Sequence, residues 1–316
     1  MGATYGARML HAGGCSQGWT MPDRSRSERG ATMAIRPATG ETPKRRADER
    51  DAAAAPSAAS AFIKIQGVTK TFSAKTGRVL ALQNVDFEVR EHEFVSIVGP
   101  SGCGKSTLLG IVSGLTSPTR GSVTIGGIPV QGPYTNLGIV FQSDVLLDWR
   151  SVLRNVTLQC EVRRMAAEPV TRRARELLAS VGLEGFEEKY PHQLSGGMRQ
   201  RVAICRALVH DPPLLLMDEP FGALDALTRD QLNVDLQRLW YEARKTVLFV
   251  THSISESIFL SDRVVVMSRR PGVVKEIITV DLPRPRPLSV RETPEFGAYV
   301  RRVRGIFVDE GVLEEQ

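Results

Sequence analysis

The 316-residue sequence has no apolar run that approaches the roughly 18 residues needed to span a bilayer. We therefore expect that the chain does not cross a membrane by itself. Cysteine is scarce as well, and the four residues (Cys15, Cys103, Cys160 and Cys205) show no C-x-x-C spacing and no paired pattern. This scarcity favours a reduced, cytosolic setting over a secreted protein held together by disulfides.

The sequence also has no concentrated basic element and no internal repeat. Its formal net charge is +6, and residues 1–60 carry nine Lys/Arg against six Asp/Glu, so half of the excess lies in that segment. A nucleic-acid-binding protein usually concentrates its basic residues on one element. We therefore expect no nucleic-acid partner. The apolar share of 42% and the charged share of 24% are those of an ordinary globular protein.

Residues 1–60 are rich in Ala, Arg, Gly, Ser and Pro and show little apolar periodicity. This composition predicts a disordered N-terminal extension. The pair Arg45-Arg46 is not followed by an apolar segment, so export through a twin-arginine signal is not expected. Ordered structure is expected to begin near Phe62.

Beyond Phe62, short apolar segments typical of strands alternate with helical patterns. The predicted strands include Phe62–Ile65, Val85–Val89, Phe94–Val98, Gly121–Ile125, Leu137–Phe141, Leu214–Met217, Thr246–Val250 and Arg263–Met267. The alternation favours an α/β fold with a mainly parallel sheet covered on both faces. An arginine-rich helical insertion, visible at Thr171–Val181, lies before the later strands. Thr293 followed by Pro294 predicts the start of a final helix.

The stretch Gly99–Thr107 reads Gly-Pro-Ser-Gly-Cys-Gly-Lys-Ser-Thr and lies between the apolar run Phe94–Val98 and a helix-like segment. Strand, glycine-rich turn and helix are the context of a phosphate-binding P-loop. The glycines let several N–H groups point at one spot, where a helix N-terminus adds its positive dipole. Lys105 can then reach the β- and γ-phosphates, and the Ser106 hydroxyl can ligate Mg²⁺. The alternative is a plain glycine turn.

A second chemical motif stands at the end of the apolar run Leu214–Met217, where Asp218 and Glu219 follow directly. A carboxylate at this position can hold Mg²⁺ opposite Ser106, because both residues lie at the carboxyl edge of a parallel sheet. Glu219 is then placed to polarise an attacking water. Two adjacent acids after a strand are common, so the interpretation depends on the P-loop being present.

The segment from about Phe62 to Pro271 resembles the ATP-binding cassette (ABC) ATPase family. Besides the P-loop and the acidic strand end, Leu194–Arg201 reads Leu-Ser-Gly-Gly-Met-Arg-Gln-Arg and is similar to the family signature, with Met198 where Gln is usual. Ser195 is a good helix N-cap, and the two glycines that follow leave N–H groups open to a phosphate. A lone Ser-Gly-Gly would be an ordinary turn.

The resemblance implies a role for each matching residue. Gln142 resembles the Q-loop glutamine, Ala223–Asp225 resembles the D-loop, and His252 resembles the switch histidine, although a structural role would be ordinary for such a histidine. Phe72 is expected to stack on adenine, its alternative being a packed hydrophobe. The implied nucleotide-binding set is Gly99, Pro100, Ser101, Gly102, Cys103, Gly104, Lys105, Ser106, Thr107, Phe72, Gln142, Ser195, Gly196, Gly197 and Asp225. The implied catalytic residues are Glu219 and His252, and the implied Mg²⁺ ligands are Ser106, Gln142 and Asp218. Cys103 has no evident chemical role, and its thiol is a candidate for alkylation.

Two further stretches, Leu146–Val156 and Asp262–Gly272, resemble the nitrate/sulfonate/taurine type of importer ATPase. Asp148 stands where that group usually has Pro, and Ser253 stands where it often has Asp. About 45 residues follow Pro271, too few for the β-barrel domain that many sugar and polyamine importer ATPases carry.

The resemblance implies a P-loop NTPase (RecA-like) core with an antiparallel β subdomain and an inserted helical subdomain at about 143–209. The expected ATPase domain is 61–282, followed by a C-terminal tail, 283–316, that contains a helix. The expected cofactors are ATP and Mg²⁺, and the expected partners are a second cassette, membrane permease subunits and, indirectly, a solute-binding protein. The expected location is the cytoplasmic face of the inner membrane, as a peripheral protein.

Two other interpretations stay open at this point. A soluble ABC ATPase of DNA repair or translation usually carries a long coiled-coil insertion or two cassettes, and neither pattern is seen. A P-loop kinase or GTPase would leave the signature and His252 unexplained. The transported solute is not indicated by the sequence.

Overall fold

The computed structural model describes residues 61–74 and 77–313. The predicted disordered extension, residues 1–60, lies outside the described residues. The strands are β1 (Ala61–Ala74), β2 (Gly77–Arg90), β3 (Phe94–Val98), β4 (Arg120–Ile125), β5 (Ile128–Pro129), β6 (Leu137–Val140), β7 (Leu214–Asp218), β8 (Thr246–Thr251), β9 (Arg263–Met267) and β10 (Val274–Thr279). The helices are α1 (Lys105–Val112), α2 (Val152–Val162), α3 (Ala167–Ser180), α4 (Gly196–Leu208), α5 (Ala226–Ala243), α6 (Ile254–Leu260) and α7 (Pro294–Asp309).

The larger sheet has six strands in the order β10-β9-β3-β8-β7-β6. Its five strands from β9 to β6 are parallel, and β10 pairs with β9 in antiparallel fashion. Strands β3 and β8 are buried along their whole length, as a sheet covered on both faces requires. Because the strands are parallel, the residues that follow β3, β6, β7 and β8 meet at one edge.

The smaller sheet is antiparallel and has the strand order β2-β1-β4-β5. It is tied to the larger sheet through Gly272, which follows β9. The N–H of Gly272 donates to the Ala81 carbonyl oxygen at 2.9 Å, and the Gly272 carbonyl oxygen accepts from the Gln83 N–H at 3.0 Å. Strand β2 is thereby fixed beside the loop that joins β9 to β10.

Helices α2, α3 and α4 all lie between β6 and β7, within the segment where a helical insertion is predicted. Ser151 caps α2, because its side chain accepts from the Arg154 N–H, and Ser195 caps α4 in the same way through Met198. The buried faces of the three helices meet at Val156, Leu178 and Ile204. None of the helices in residues 61–74 and 77–313 combines the length and the apolar character that crossing a membrane requires.

The segment after residue 282 is packed onto the core. The predicted final helix is present as α7, with the Thr293 side chain accepting from the Phe296 N–H. Phe296, Val303 and Phe307 are buried in the same cluster as Val280. The predicted boundary at 282 therefore does not coincide with an edge of the hydrophobic core, and the tail up to residue 313 is part of the packed fold.

The same segment also buries a charged side chain, because Arg286 is 2% exposed although it lies among prolines. Its guanidinium donates to five carbonyl oxygens, those of Ile258, Phe259, Ser261, Val280 and Leu282. Three of these carbonyls lie at the C-terminal end of α6, where no helical N–H is left to bind them. Arg286 thus closes that helix end and fastens the proline-rich segment to it.

Candidate functional site

The P-loop between β3 and α1 has the backbone that its glycines predict. Gly102 and Gly104 have positive φ angles of 76° and 107°, which other residues adopt only with strain. A Cβ atom at Gly104 would lie 2.7 Å from the Leu82 Cδ2 atom and 2.9 Å from the Ala81 carbonyl oxygen. A side chain is excluded there by strand β2 as well as by φ. The loop is therefore held against the smaller sheet in the shape of an anion-binding nest.

Lys105, the first residue of α1, lies at the base of this loop and is only 4% exposed. Its Nζ atom donates to the carbonyl oxygens of Gly99 and Pro100 at 2.9 and 3.1 Å. The same atom lies 3.6 Å from the Glu219 Oε1 atom. A buried cation held by weak carbonyl acceptors and one carboxylate can exchange them for phosphate oxygens without moving far.

Ser106 and Asp218 face each other across the sheet edge, as their motifs predict. The Ser106 hydroxyl donates to the Asp218 Oδ1 atom at 3.0 Å. Burial raises the pKa of Asp218, and the hydrogen bond from Ser106 opposes that rise. A hydroxyl and a desolvated carboxylate form an oxygen pair of the kind that Mg²⁺ prefers, with the remaining positions left to phosphate and water.

Glu219 and His252 are brought together from the ends of β7 and β8. The His252 Nδ1 atom lies 3.1 Å from the Glu219 Oε2 atom, so the Nδ1–H tautomer donates to the carboxylate. Glu219 has a positive φ of 44°, and its N–H donates to the Val250 carbonyl oxygen at 2.9 Å. A non-glycine residue in this conformation is uncommon and is seen often at functional sites.

Lys105, Ser106 and Glu219 line a cleft of about 470 Å³, while Asp218 and His252 contact this lining through Ser106 and Glu219. Its lining comprises Phe72, Val79, Ala81, Ser101, Gly102, Gly104, Lys105, Ser106, Thr107, Gln142, Glu219 and Arg270. Phe72 is 41% exposed at its border, with the Lys70 Nζ atom 4.9 Å from the ring centroid. An exposed ring at the border of a polar cleft is available for stacking, and the stacking of Phe72 on adenine stays a prediction. Gln142 enters the same cleft from the end of β6.

The cleft also contains Arg270, which no motif in the sequence indicates. Its guanidinium lies 3.7 Å from the position of a Cβ atom built on Gly102, at the tip of the P-loop. No ion pair to this side chain is found within residues 61–74 and 77–313. Arg270 is brought there by the pairing of Gly272 with β2, a long-range contact that leaves no local signal in the sequence.

The signature residues Ser195, Gly196 and Gly197 do not line this cleft, and neither does Asp225. They lie next to one another instead. Cβ atoms built on the two glycines would be 3.5 Å from the Leu224 side chain and 2.5 Å from that of Thr228. The Asp225 carboxylate accepts from the Thr228 N–H at 3.0 Å and caps α5. The predicted nucleotide-binding residues therefore form two separate surfaces within one chain.

Cys103 departs from the expectation of a reactive thiol. It is 1% exposed, and its Sγ atom would touch a Cβ atom at Gly99 at 3.0 Å. Burial raises the pKa of the thiol, which disfavours the reactive thiolate. Its side chain belongs to the core, so only its backbone can face a nucleotide. Cys160 and Cys205 are free and buried as well.

An apolar groove of about 710 Å³ lies between the end of β6 and helix α2. It is lined mainly by hydrophobic side chains, including Tyr134, Leu137, Ile139, Phe141, Val145, Leu158 and Val162. Nearby, on the loop between Gln142 and α2, Trp149 is 76% exposed. A groove of this size with exposed aromatic and aliphatic residues is typical of a protein-binding surface.

A parallel sheet with a P-loop after one strand and an acidic pair after another defines a P-loop NTPase. The model of the family described as ABC transporter matches residues 82–222. The chain is 49% identical over 248 residues to an uncharacterized ABC transporter ATP-binding protein of Methanocaldococcus jannaschii, covering 78% of this chain and 92% of that protein. It is 44% identical over 224 residues to the aliphatic sulfonates import ATP-binding protein SsuB of Bacillus cereus, covering 71% and 88%.

Among solved structures, the chain is similar to a dimeric bacterial ABC transporter cassette, with 38% identity and a TM-score of 0.63. The match covers 70% of this chain and all of that one. A dimeric post-hydrolysis state of that cassette, bound to ADP and Pi, matches with 36% identity and a TM-score of 0.62, with the same coverage. The chain belongs to the ABC transporter family and is one of its ATP-hydrolysing cassettes. The predicted family and fold class are confirmed.

Proposed function

We propose that the chain is the ATP-hydrolysing subunit of an importer and works as a pair beneath separate permease subunits. Its cargo would be a small anion or a related organic solute of the nitrate, sulfonate and taurine type. The support for import is the likeness to sulfonate import ATP-binding proteins over 71% of the chain. The cassette would then lie at the cytoplasmic face of the membrane as a peripheral subunit, served indirectly by a solute-binding protein.

One observation carries the pairing: the P-loop cleft and the signature residues lie on different surfaces of one chain. Ser195, at the N-terminus of the 13-residue helix α4, and the two glycines after it offer N–H groups suited to a phosphate. These residues are not among those that line the chain's own cleft. A second copy that brings its signature to this cleft would complete the site on the γ-phosphate side.

Within each cleft, the geometry supports attack of water on the γ-phosphate. Lys105 would turn from the Gly99 and Pro100 carbonyls to the phosphates and release its contact with Glu219. Glu219 would then polarise the attacking water, while His252, which now contacts Glu219, would contact the γ-phosphate. Phe72 would stack on the base.

Mg²⁺ fits the oxygen ligands at the sheet edge. Ser106 and Asp218 would hold the ion, and Gln142, which lies in the same cleft, would contact it through its amide oxygen. The ion would screen the charge of the phosphates. No cluster of three or more His, Cys, Asp or Glu side chains suited to a metal is found in the described ranges 61–74 and 77–313. With Ser106, Asp218 and Gln142 as the proposed ligands from the chain, the other positions around the ion would be filled by the nucleotide and water.

The apolar groove beside β6 is our candidate for the permease contact. Phe141 and Val145 line the groove, and Gln142, which lines the P-loop cleft, is the residue after Phe141, so a change at the nucleotide could be passed to the groove through this one loop. Trp149, exposed on the same loop, supplies an aromatic anchor of the kind common at protein interfaces. A soluble ABC ATPase of DNA repair or translation is the alternative, and it would not need this groove.

The pairing can be tested with Glu219→Gln in the full chain. Loss of the carboxylate should stop hydrolysis while leaving ATP binding, so ATP and Mg²⁺ should convert the 34.7 kDa monomer to a dimer in light scattering. ADP should leave it monomeric, and so should ATP when Lys105→Ala is added. A variant that binds ATP and stays monomeric would contradict the shared site.

The transporter role can be tested by affinity purification of the tagged chain from mild-detergent extracts. We expect a hydrophobic permease of about six spans to co-purify, and Trp149→Ala together with Val145→Ser should reduce its recovery. An unaltered recovery would reject the groove as the contact. Recovery of ribosomes or nucleic acid without a permease would favour the soluble alternative.

A further inference from the structure

Glu256 is a buried acid with no place in the cleft. It lies on α6, four residues after His252, and is 5% exposed. Its Oε2 atom accepts from the Thr251 hydroxyl at 2.7 Å, and the same hydroxyl oxygen accepts from the Ser253 N–H at 3.0 Å. Both neighbours of His252 in the chain are therefore tied, directly or through one hydroxyl, to this carboxylate.

The other oxygen of the carboxylate faces a different loop. The Glu256 Oε1 atom lies 3.5 Å from the Arg229 Nε atom on α5. The Nη2 atom of Arg229 donates to the Leu224 carbonyl oxygen at 2.9 Å. Leu224 immediately precedes Asp225, and its side chain lies next to Gly196 of the signature. One acid and one cation thus join the loop of His252 to the surface that carries the signature.

Glu256 and Arg229 are close to each other but are not joined by a hydrogen bond in the structure. The Arg229 Nε atom is buried and makes no hydrogen bond among the described residues, although it lies 3.5 Å from the Glu256 Oε1 atom. Burial raises the pKa of Glu256, and the Thr251 hydrogen bond and the nearby Arg229 charge oppose the rise. A buried donor and a desolvated acceptor at this separation gain from any movement that shortens the distance.

We propose that Glu256 and Arg229 couple the two ATP sites of a paired cassette. In this proposal, which rests on the pairing proposed above, ATP at His252 of one cleft draws the His252 loop inward. Glu256 then draws Arg229 and the Leu224 carbonyl, which sets the signature of the same chain for the other cleft. Both residues are positioning residues: neither touches nucleotide, and each acts through a loop that does.

The test is the dependence of ATP hydrolysis on ATP concentration in the purified full chain. Two coupled sites should give a Hill coefficient approaching about 2 in the parent chain. Glu256→Gln keeps the size and the hydrogen bond to Thr251 but removes the charge, so the coefficient should fall toward about 1. Arg229→Gln should do the same, and the double variant should add nothing further, because the two residues act as one unit.

A matched control is Glu93→Gln, which removes a buried carboxylate (7% exposed) from an ion pair with Arg263 far from the cleft. It should lower stability and leave the Hill coefficient unchanged. Binding of a fluorescent ATP analogue at protein concentrations below pairing should be the same, within about twofold, in all five proteins, which separates lost coupling from a damaged cleft. If Glu256→Gln fails to fold, the coupling can still be tested with Arg229→Gln, because the Arg229 side chain is partly exposed and its replacement should be better tolerated.

The outcomes separate this inference from the pairing itself. A cooperative parent whose Glu256→Gln and Arg229→Gln variants stay cooperative would overturn the coupling and leave the paired cassette standing. The same loss of cooperativity in Glu93→Gln would also overturn it, because stability rather than the contact would then be responsible. A parent that hydrolyses ATP without cooperativity and never forms a dimer would overturn both proposals.

Discussion

Replacing Arg286 by Met should destabilise the protein strongly, although the residue lies in a segment of alternating proline and arginine. The substitution keeps most of the apolar stem but removes a guanidinium that donates to five buried carbonyl oxygens. Burial lowers the pKa of Arg286 to about 10, so the group is still charged at neutral pH. The native structure therefore contains a charged donor at the centre of its C-terminal packing.

The size of the effect follows from what is left behind. Each buried carbonyl left without a donor lowers the free energy of unfolding by about 1–3 kcal/mol. Local relaxation and entry of water reduce the total for the five carbonyls. Breaking a buried charged network typically costs about 3–5 kcal/mol in the free energy of unfolding. For a domain of this size each kcal/mol shifts Tm by about 2–4 °C, which gives a decrease of about 6–20 °C.

The assay is thermal unfolding followed by circular dichroism at neutral pH. A matched control is Arg302→Met on α7, whose side chain is 57% exposed and pairs only with Glu276 in the described part of the chain. Its effect should stay within about 0.5 kcal/mol, or about 2 °C. A Tm decrease below about 3 °C for Arg286→Met would refute the reasoning, because the carbonyls would then be satisfied without the guanidinium.

Three further predictions concern the cleft and a surface ion pair. Lys105→Ala should abolish nucleotide binding measured by calorimetry, and unchanged ATP affinity would reject the phosphate-binding role of the P-loop. Arg270→Ala should weaken ATP and ADP binding by about 5–20-fold and leave adenosine binding unchanged, as the loss of one charge-assisted contact implies. The control is Arg269→Ala, which alters the exposed neighbour outside the lining and should not change nucleotide binding. Equal effects of the two substitutions would contradict a phosphate contact by Arg270. Hydrogen bonding to Lys245 lowers the pKa of Asp211 below its ordinary 3.8, so the stability that the pair contributes is full above pH 3.8 and is lost as the pH falls through the lowered pKa. Because Asp211 is 58% exposed, Asp211→Asn should lower the free energy of unfolding by no more than about 1 kcal/mol at pH 7. In urea unfolding, the difference in stability between variant and parent should vanish in acid, and a difference that grows in acid would contradict the prediction.

The residues predicted for the site have local signals in the sequence. Asp218 and His252 stand at the ends of apolar runs that read as buried strands, the loop with Lys105 follows another such run, and parallel strands bring these ends to one edge. The glycines of the P-loop predict a backbone with positive φ angles, which glycine adopts more easily than other residues. The expected sheet, its helical insertion and the cap at Thr293 follow from patterns of the same short range.

The residues that the sequence did not indicate depend on distant contacts. Arg286 looks like part of an exposed tail, because a proline-rich basic segment usually is one, and its five acceptors come from α6 and the segment that follows β10. Arg270 enters the cleft only because Gly272 pairs with β2. The pair of Glu256 and Arg229 lies on two helices whose sequences each look ordinary. Such contacts are fixed by packing, which no local pattern encodes.

The pairing of Gly272 with β2 has a consequence for how a ligand is received. Phe72 lies opposite Val79 in the hairpin of β1 and β2, and the P-loop rests against Leu82 of the same hairpin. The spacing between the aromatic platform and the phosphate nest is therefore set by one continuous strand before any nucleotide arrives. With Phe72 as the proposed platform for the base, the entropy of aligning these two ends would be lost during folding rather than during association, and we expect nucleotides to be selected by the distance from base to phosphate.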